Sequence, residues 1–160
     1  MDTAHHEARA PTLAAIRVNV GYAAAMPQLP WDVVVLGVPA SVQGSSSRKR
    51  RWKAEVERVA RAAWPAGDPP LTQKVLASIT FFHVDAPLDT DNMLKPIQDA
   101  LIGVVYEDDA QITDIRAGVR DVKASFRVFG LSEALASGFM SSGPFVHIKI
   151  EDPPDEQELP

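Results

Sequence analysis

A chain of 160 residues with 46% hydrophobic and 23% charged side chains is long enough for one core and too short for two domains of ordinary size. Apolar stretches such as 33–38 fall far below the roughly 18 residues of a membrane-spanning helix, and with no cysteine neither a disulfide framework nor a thiolate zinc site is available. These features predict a cytoplasmic protein without membrane contact, and the net charge of −5 would exclude a nucleic-acid partner only if it were evenly spread.

It is not evenly spread. Residues 48–64 hold seven bases against Glu55 and Glu57, whereas residues 151–160 hold five acids and no base. Residues 1–30 are rich in Ala and Pro, keep no sustained period, and lack the basic start and apolar run of a signal peptide. They read as a loosely held extension. His5 and His6 there have no third ligand nearby, so a solvated pair is expected rather than a metal site.

Residues 31–38 are apolar and β-branched and run into Gly37, Pro39, Ser41 and Gly44, which predicts a strand entering a loop. Trp52, Val56, Val59, Ala60 and Ala63 then recur at helical spacing and predict a helix over 49–64, with Trp52 in the core. Gly67, Pro69 and Pro70 end it. A second strand is expected over 75–84, followed by a turn over 85–90.

Met93, Ile97, Ala100, Leu101, Val104 and Val105 share one helical face, so a second helix is expected from Asn92 to about Gly103, with Pro96 in or just past its first turn. A third strand over 114–125, a short helix over 131–137 and a half-buried strand over 145–150 complete the reading. His147 is expected on the surface of that last strand. The order predicts a single α+β domain over 31–151 with a mixed sheet and two main helices, and a flexible acidic tail over 152–160.

The informative stretch runs from Leu88 to Lys95, continues through Asp99, Ala100 and Leu101, and ends at residues 107–112. Between Asp85 and Asp109 seven acids face the single base Lys95. So much negative charge on one surface calls for protons or cations, and hard divalent ions bound by carboxylate oxygens would supply the latter.

Asp89 and Asp91, two apart in an extended segment, would project to one side and share an ion. A helix over 92–102 travels roughly 16 Å, and an extended 103–109 spans roughly 23 Å, so Asp109 can just return to them. Gly103 is the expected pivot. A calcium EF-hand is excluded by Leu94 and Ala100, where Gly and Glu would stand. An aspartyl-phosphate phosphatase is disfavoured by Met93. A turn and helix cap would account for an Asp-x-Asp pair standing alone.

The pair does not stand alone. Asp-x-Asp-Asn-x-x-Lys at 89–95, Asp-Ala-Leu at 99–101 and Asp-Asp-x-Gln-Ile at 108–112 together resemble the RusA family of Holliday junction resolvases, and Gly37-Val38-Pro39-Ala40-Ser41 is similar to that family's early turn. The resemblance implies a RusA-like fold and a homodimeric, magnesium-dependent endonuclease, with manganese as a substitute, that nicks paired strands of a four-way DNA junction and leaves 5′-phosphate and 3′-hydroxyl ends. It implies metal-binding roles for Asp89, Asp91 and Asp109, with Asp108 beside them, and places Lys95 where it orients a phosphate or stabilises charge. Asn92, Asp99 and Gln111 are expected in structural roles at the helix start, helix surface and loop. The turn over 84–88 lacks the arginines that resolvases of this type carry there.

Arg48, Lys49, Arg50, Arg51 and Lys53 follow a Gly-Ser loop and are expected to contact DNA phosphates, together with Ser41 of the early turn. Helical pairs Arg51–Glu55 and Glu57–Arg61 would account for the more distal charges as a solvated face. Because one aspartate cluster positions one cut, a homodimer is expected, with the apolar faces of strands such as 75–82 as candidates for its interface.

Overall fold

The computed structural model describes residues 28–155, so most of the expected N-terminal extension, with His5 and His6, and the end of the acidic tail lie outside the described residues. The elements follow in the order β1 (Trp31–Leu36), α1 (Ser46–Ala63), β2 (Val75–His83), α2 (Thr90–Leu101), a short 3₁₀ turn (Asp109–Gln111), β3 (Ile112–Asp121), α3 (Glu133–Met140) and β4 (Phe145–Glu151).

The four strands form one sheet in the order β1-β4-β2-β3. β4 is antiparallel to both β1 and β2, and β2 is parallel to β3. A parallel neighbour requires a crossover rather than a hairpin, and α2 is that crossover. The result is an α+β domain with a mixed sheet, as the order of elements predicts, with α3 as a third, shorter helix.

Register explains the core. Val33 pairs with Ile148, which pairs on its other side with Ile79. Since side chains directly opposite share a face, these residues present one apolar surface with Val35, Val146 and Phe81. Trp52, Val56 and Ala60 of α1 and Met93, Ile97 and Leu101 of α2 complete the same buried cluster.

The opposite face is covered at one end by an aromatic group. Phe82 stacks on Phe145 with centroids 4.6 Å apart, and Phe139 of α3 packs edge-on against both. Gly138 permits that approach, because a Cβ there would lie 2.6 Å from the Phe145 ring. At the other end of this face His147 Nε2 lies 2.8 Å from the Asp32 carboxylate, to which the Ser132 hydroxyl also donates. His147 is thus half-buried and partnered rather than a plain surface residue.

The sheet also overturns one expectation. β2 is an interior strand, and Val75, Leu76, Ala77, Ile79, Phe81 and Phe82 are buried within the chain itself. Its apolar side chains are occupied within the chain and offer no apolar surface for a second copy.

α1 begins three residues before the sequence boundary because the Ser45 hydroxyl accepts from the Arg48 N–H and caps it. It stops at Trp64, whose extended backbone is what a following proline enforces.

Candidate active site

The site is organised on α2, whose start differs from the sequence expectation. Asp89 is the N-cap and Asp91 already lies in the first helical turn, so the two do not project from one side of an extended segment. The positive end of a helix favours acids there, which is why the helix reaches past Asn92. Asp91 is exposed, and Asp89, also exposed, makes no capping bond; its Oδ2 meets only Asn92 Nδ2, at a long 3.4 Å, among the described residues.

Pro96 falls in the second turn of α2 and has no N–H to give to the carbonyl of Asn92 four residues earlier. That carbonyl instead accepts from the N–H of Val42 at 2.8 Å. The carbonyl of Val42 in turn accepts from Lys49 Nζ at 3.0 Å. The loop between β1 and α1 is therefore tied to both helices through one residue. Within it the Ser41 hydroxyl accepts from the Gln43 N–H at 3.2 Å and closes its own turn.

Lys95 is the electrostatic centre. Its Nζ lies 2.5 Å from Asp109 Oδ2 and 2.8 Å from Asp99 Oδ1. The two carboxylates, Asp109 first, raise the pKa of the ammonium well above that of an ordinary lysine. Reciprocally, the Lys95 hydrogen bond and charge hold the Asp109 carboxyl below the usual carboxylate range. Asp99, expected only as a helix-surface residue, is thus part of the site, and its i+4 spacing from Lys95 is the sequence signal for the pair.

A capping box holds Asp109 in place. Asp108 Oδ1 accepts from the Ala110 N–H at 2.8 Å. Gln111 Oε1 accepts from the N–H groups of Glu107 and Asp108 at 2.8 and 2.9 Å, and its Nε2 donates to the carbonyls of Leu71 and Gln73 at 2.8 and 2.9 Å. Gln111 thus fills its expected role of loop support with four bonds, and the Asp-x-x-Gln spacing was its sequence signal.

The return to Asp109 is shorter than an extended chain would give. Gly103 is the pivot, with φ +75°, but residues 103–106 coil into a turn in which the Gly103 N–H donates to the Tyr106 carbonyl at 2.7 Å. Asp109 accordingly meets α2 at Lys95, one turn or about 6 Å beyond Asp91. Among the described residues no three Asp, Glu or His side chains gather closely enough to form a metal cage. Buried Tyr106 anchors the turn, its hydroxyl donating to the Gln98 carbonyl at 2.8 Å. Burial, with Asp109 and Asp99 adding, pushes that phenol up.

The donor set nevertheless suits a small hard cation. Magnesium is commonly held by one or two carboxylates plus substrate phosphate and water rather than by an all-protein cage. Asp89 and Asp91, exposed and without a cationic partner among the described residues, meet that requirement.

The basic residues adjoin the acids. A groove of about 290 Å³ between α1 and α2 is lined by Lys49, Arg50 and Lys53 on one side and by Lys95 and Asp99 on the other. The expected Arg51–Glu55 pair is not formed, because Arg58 takes both Glu55 oxygens at 2.7 and 2.9 Å. Arg61 does pair with Glu57, at 2.9 Å. Trp52 is buried, as expected.

The family model described as Endodeoxyribonuclease RusA matches residues 43–129, more than half of the chain, spanning α1, β2, α2, the Asp108–Gln111 turn and β3. The turn at 37–41 precedes the match. No curated relative matches the chain.

Proposed function

The chain belongs to the RusA endodeoxyribonuclease family, whose members are phosphodiester hydrolases, and from that membership we propose that it resolves four-way DNA junctions by magnesium-dependent paired nicking. The observation that carries the reading is the meeting of opposite charges along α2. Asp99 and Lys95 line a groove together with Lys49, Arg50 and Lys53, Asp109 joins it through Lys95, and Asp89 and Asp91 stand at the start of the same helix. A phosphodiester entering by way of the cations would come to rest next to the carboxylates.

In this reading Asp89 and Asp91 would hold the ion, while Asp109 is engaged by Lys95 and Asp108 by the Ala110 N–H on the opposing turn. Such an ion supplies a nucleophile at neutral pH and offsets the charge of the phosphate. The chain's own residues do the positioning. Lys95, kept protonated by Asp109 and Asp99, is oriented to place a phosphate oxygen and to stabilise the charge that grows on it. Gln111 fixes Asp109 by bracing the backbone amides of Glu107 and Asp108 just before it. Hydrolysis adds the elements of water across the P–O3′ bond, leaving 5′-phosphate and 3′-hydroxyl ends.

Two related cuts require two copies of the site, and a homodimer meets that need. Since β2 is enclosed, the apolar surface available to a second copy lies elsewhere. Phe129 and Met140, 85% and 83% exposed, stand before and at the end of α3 and are its strongest candidates. Among the described residues no helix is long and apolar enough to cross a membrane.

The test is incubation of labelled four-way junction, linear duplex and single-stranded DNA with the protein, with and without magnesium. Paired nicks across the junction, dependent on magnesium, are expected. Cleavage of single strands in preference to the junction would keep the nuclease and defeat the resolvase.

A further inference from the structure

The basic stretch at the start of α1 divides between two grooves. Lys49, Arg50 and Lys53 line the groove shared with α2, next to Lys95. Arg48 and Arg51 line a second groove of about 260 Å³, whose other wall is the end of β1 at Leu36 and the following Gly37 and Val38. At 3.6 residues per turn the two sets are centred roughly half a turn apart on the helix, so they reach away from each other.

Apart from Lys49, whose Nζ donates to the Val42 carbonyl, neither set is consumed by internal pairing. Arg58 and Arg61 are engaged by Glu55 and Glu57, whereas Arg48, Arg50, Arg51 and Lys53 have no carboxylate partner among the described residues. Glu55 also borders the second groove, but both of its oxygens are held by Arg58, leaving the two arginines as that groove's unneutralised charges. All four unpaired cations are exposed.

A helix with its side chains is about 10–12 Å across, and the major groove of B-form DNA is about 12 Å wide. Cations on opposite flanks of such a helix fit two backbones better than one. We propose, resting on the nuclease reading above, that the first turns of α1 sit between the two strands of one duplex arm. The strand to be cut runs along Lys49, Arg50 and Lys53 toward Lys95. The uncut strand is held by Arg48 and Arg51 against the end of β1. Only the first track borders Asp99 and, through Lys95, Asp109, so the helix assigns which strand is presented for cutting.

The strand assignment is tested by binding, measured in calcium so that cleavage does not enter, with fluorescent duplex and single-stranded DNA over a series of salt concentrations. Each pair of substitutions should remove two phosphate contacts wherever its track is used. The double variant Arg50→Ala/Lys53→Ala should lower the slope of log affinity against log salt by about 1.8 on duplex and about 1.4 on single strand. The double variant Arg48→Ala/Arg51→Ala should lower it by about 1.8 on duplex and leave the single-strand slope in place. Equal losses from the two pairs on both probes, or no loss from the arginine pair on duplex, would overturn the assignment. Failure of the unaltered protein to bind any DNA would instead defeat the nuclease reading itself.

Discussion

Lys95 Nζ lies 2.5 Å from Asp109 Oδ2, and this contact joins two parts of the acidic stretch that are 14 residues apart in sequence. Both groups are partly exposed, so the pair contributes little to folding. Its consequence is for chemistry. Lys95→Met is expected to lower kcat for DNA cleavage by about 10²-fold while thermal unfolding stays near that of the parent protein. A variant that melts normally and cuts at the parent rate would remove Lys95 from the reaction.

Val42 and Asn92 are linked because Pro96 leaves the Asn92 carbonyl free. Pro96→Ala restores an N–H four residues on, which competes for that carbonyl. The expected result is up to about tenfold faster exchange of the Val42 amide hydrogen, the equivalent of losing one backbone hydrogen bond. Unchanged protection would show that the loop is held by other contacts.

Gln111 supports the Asp109 turn through both ends of its amide. Gln111→Ala should destabilise the protein by about 1–3 kcal/mol, since the Gln73 carbonyl loses its donor and the Leu71 carbonyl keeps only the Glu107 N–H at 3.3 Å. Gln111→Glu keeps the acceptor and replaces the donor with a charged oxygen, so chemical denaturation should find it at least as unstable as the alanine variant. A glutamate variant as stable as the parent would mean that the two carbonyls are satisfied in another way.

Tyr106 ties stability to alkaline pH. The unfolded phenol ionises near pH 10 (about), and the folded one is pushed higher, chiefly by burial. Its stabilising share is therefore complete below the unfolded value and is lost as pH rises above it toward the folded value. Tyr106→Phe should be less stable by about 1 kcal/mol at neutral pH, through loss of the bond to Gln98. That gap should close as pH rises beyond about 10, and parallel stability curves for the two proteins would contradict the account.

Much of this was legible in the sequence because it is local. The apolar spacing of Trp52, Val56 and Ala60, the alternation of Val146, Ile148 and Ile150, and the glycine at 103 each report a backbone need within a few residues. The start of α2 was misplaced because Asp89 and Asp91 suit an extended turn and a helix N-terminus equally well. What the sequence did not show depends on register between distant segments. The Val42–Asn92 bond needs the loop to cross α2, the Asp32–His147 contact needs β1 beside β4, and the enclosure of β2 needs β3 and β4 on either side. The competition of Arg58 with Arg51 for Glu55 is local, yet both spacings are favourable in a helix, so spacing alone did not decide it.

The central claim is that Asp89 and Asp91 carry metal-dependent cleavage of DNA. Neither fills core volume, so Asp89→Asn and Asp91→Asn should fold as the parent does, and each removes one charged ligand. The direct measurement is the rate of nicking of a 5′-labelled four-way junction at saturating magnesium by the parent and by each variant, at equal concentrations of folded protein. The account predicts paired nicks by the parent and a loss of at least about 10²-fold in each variant. Nicking at the parent rate by both variants would contradict it.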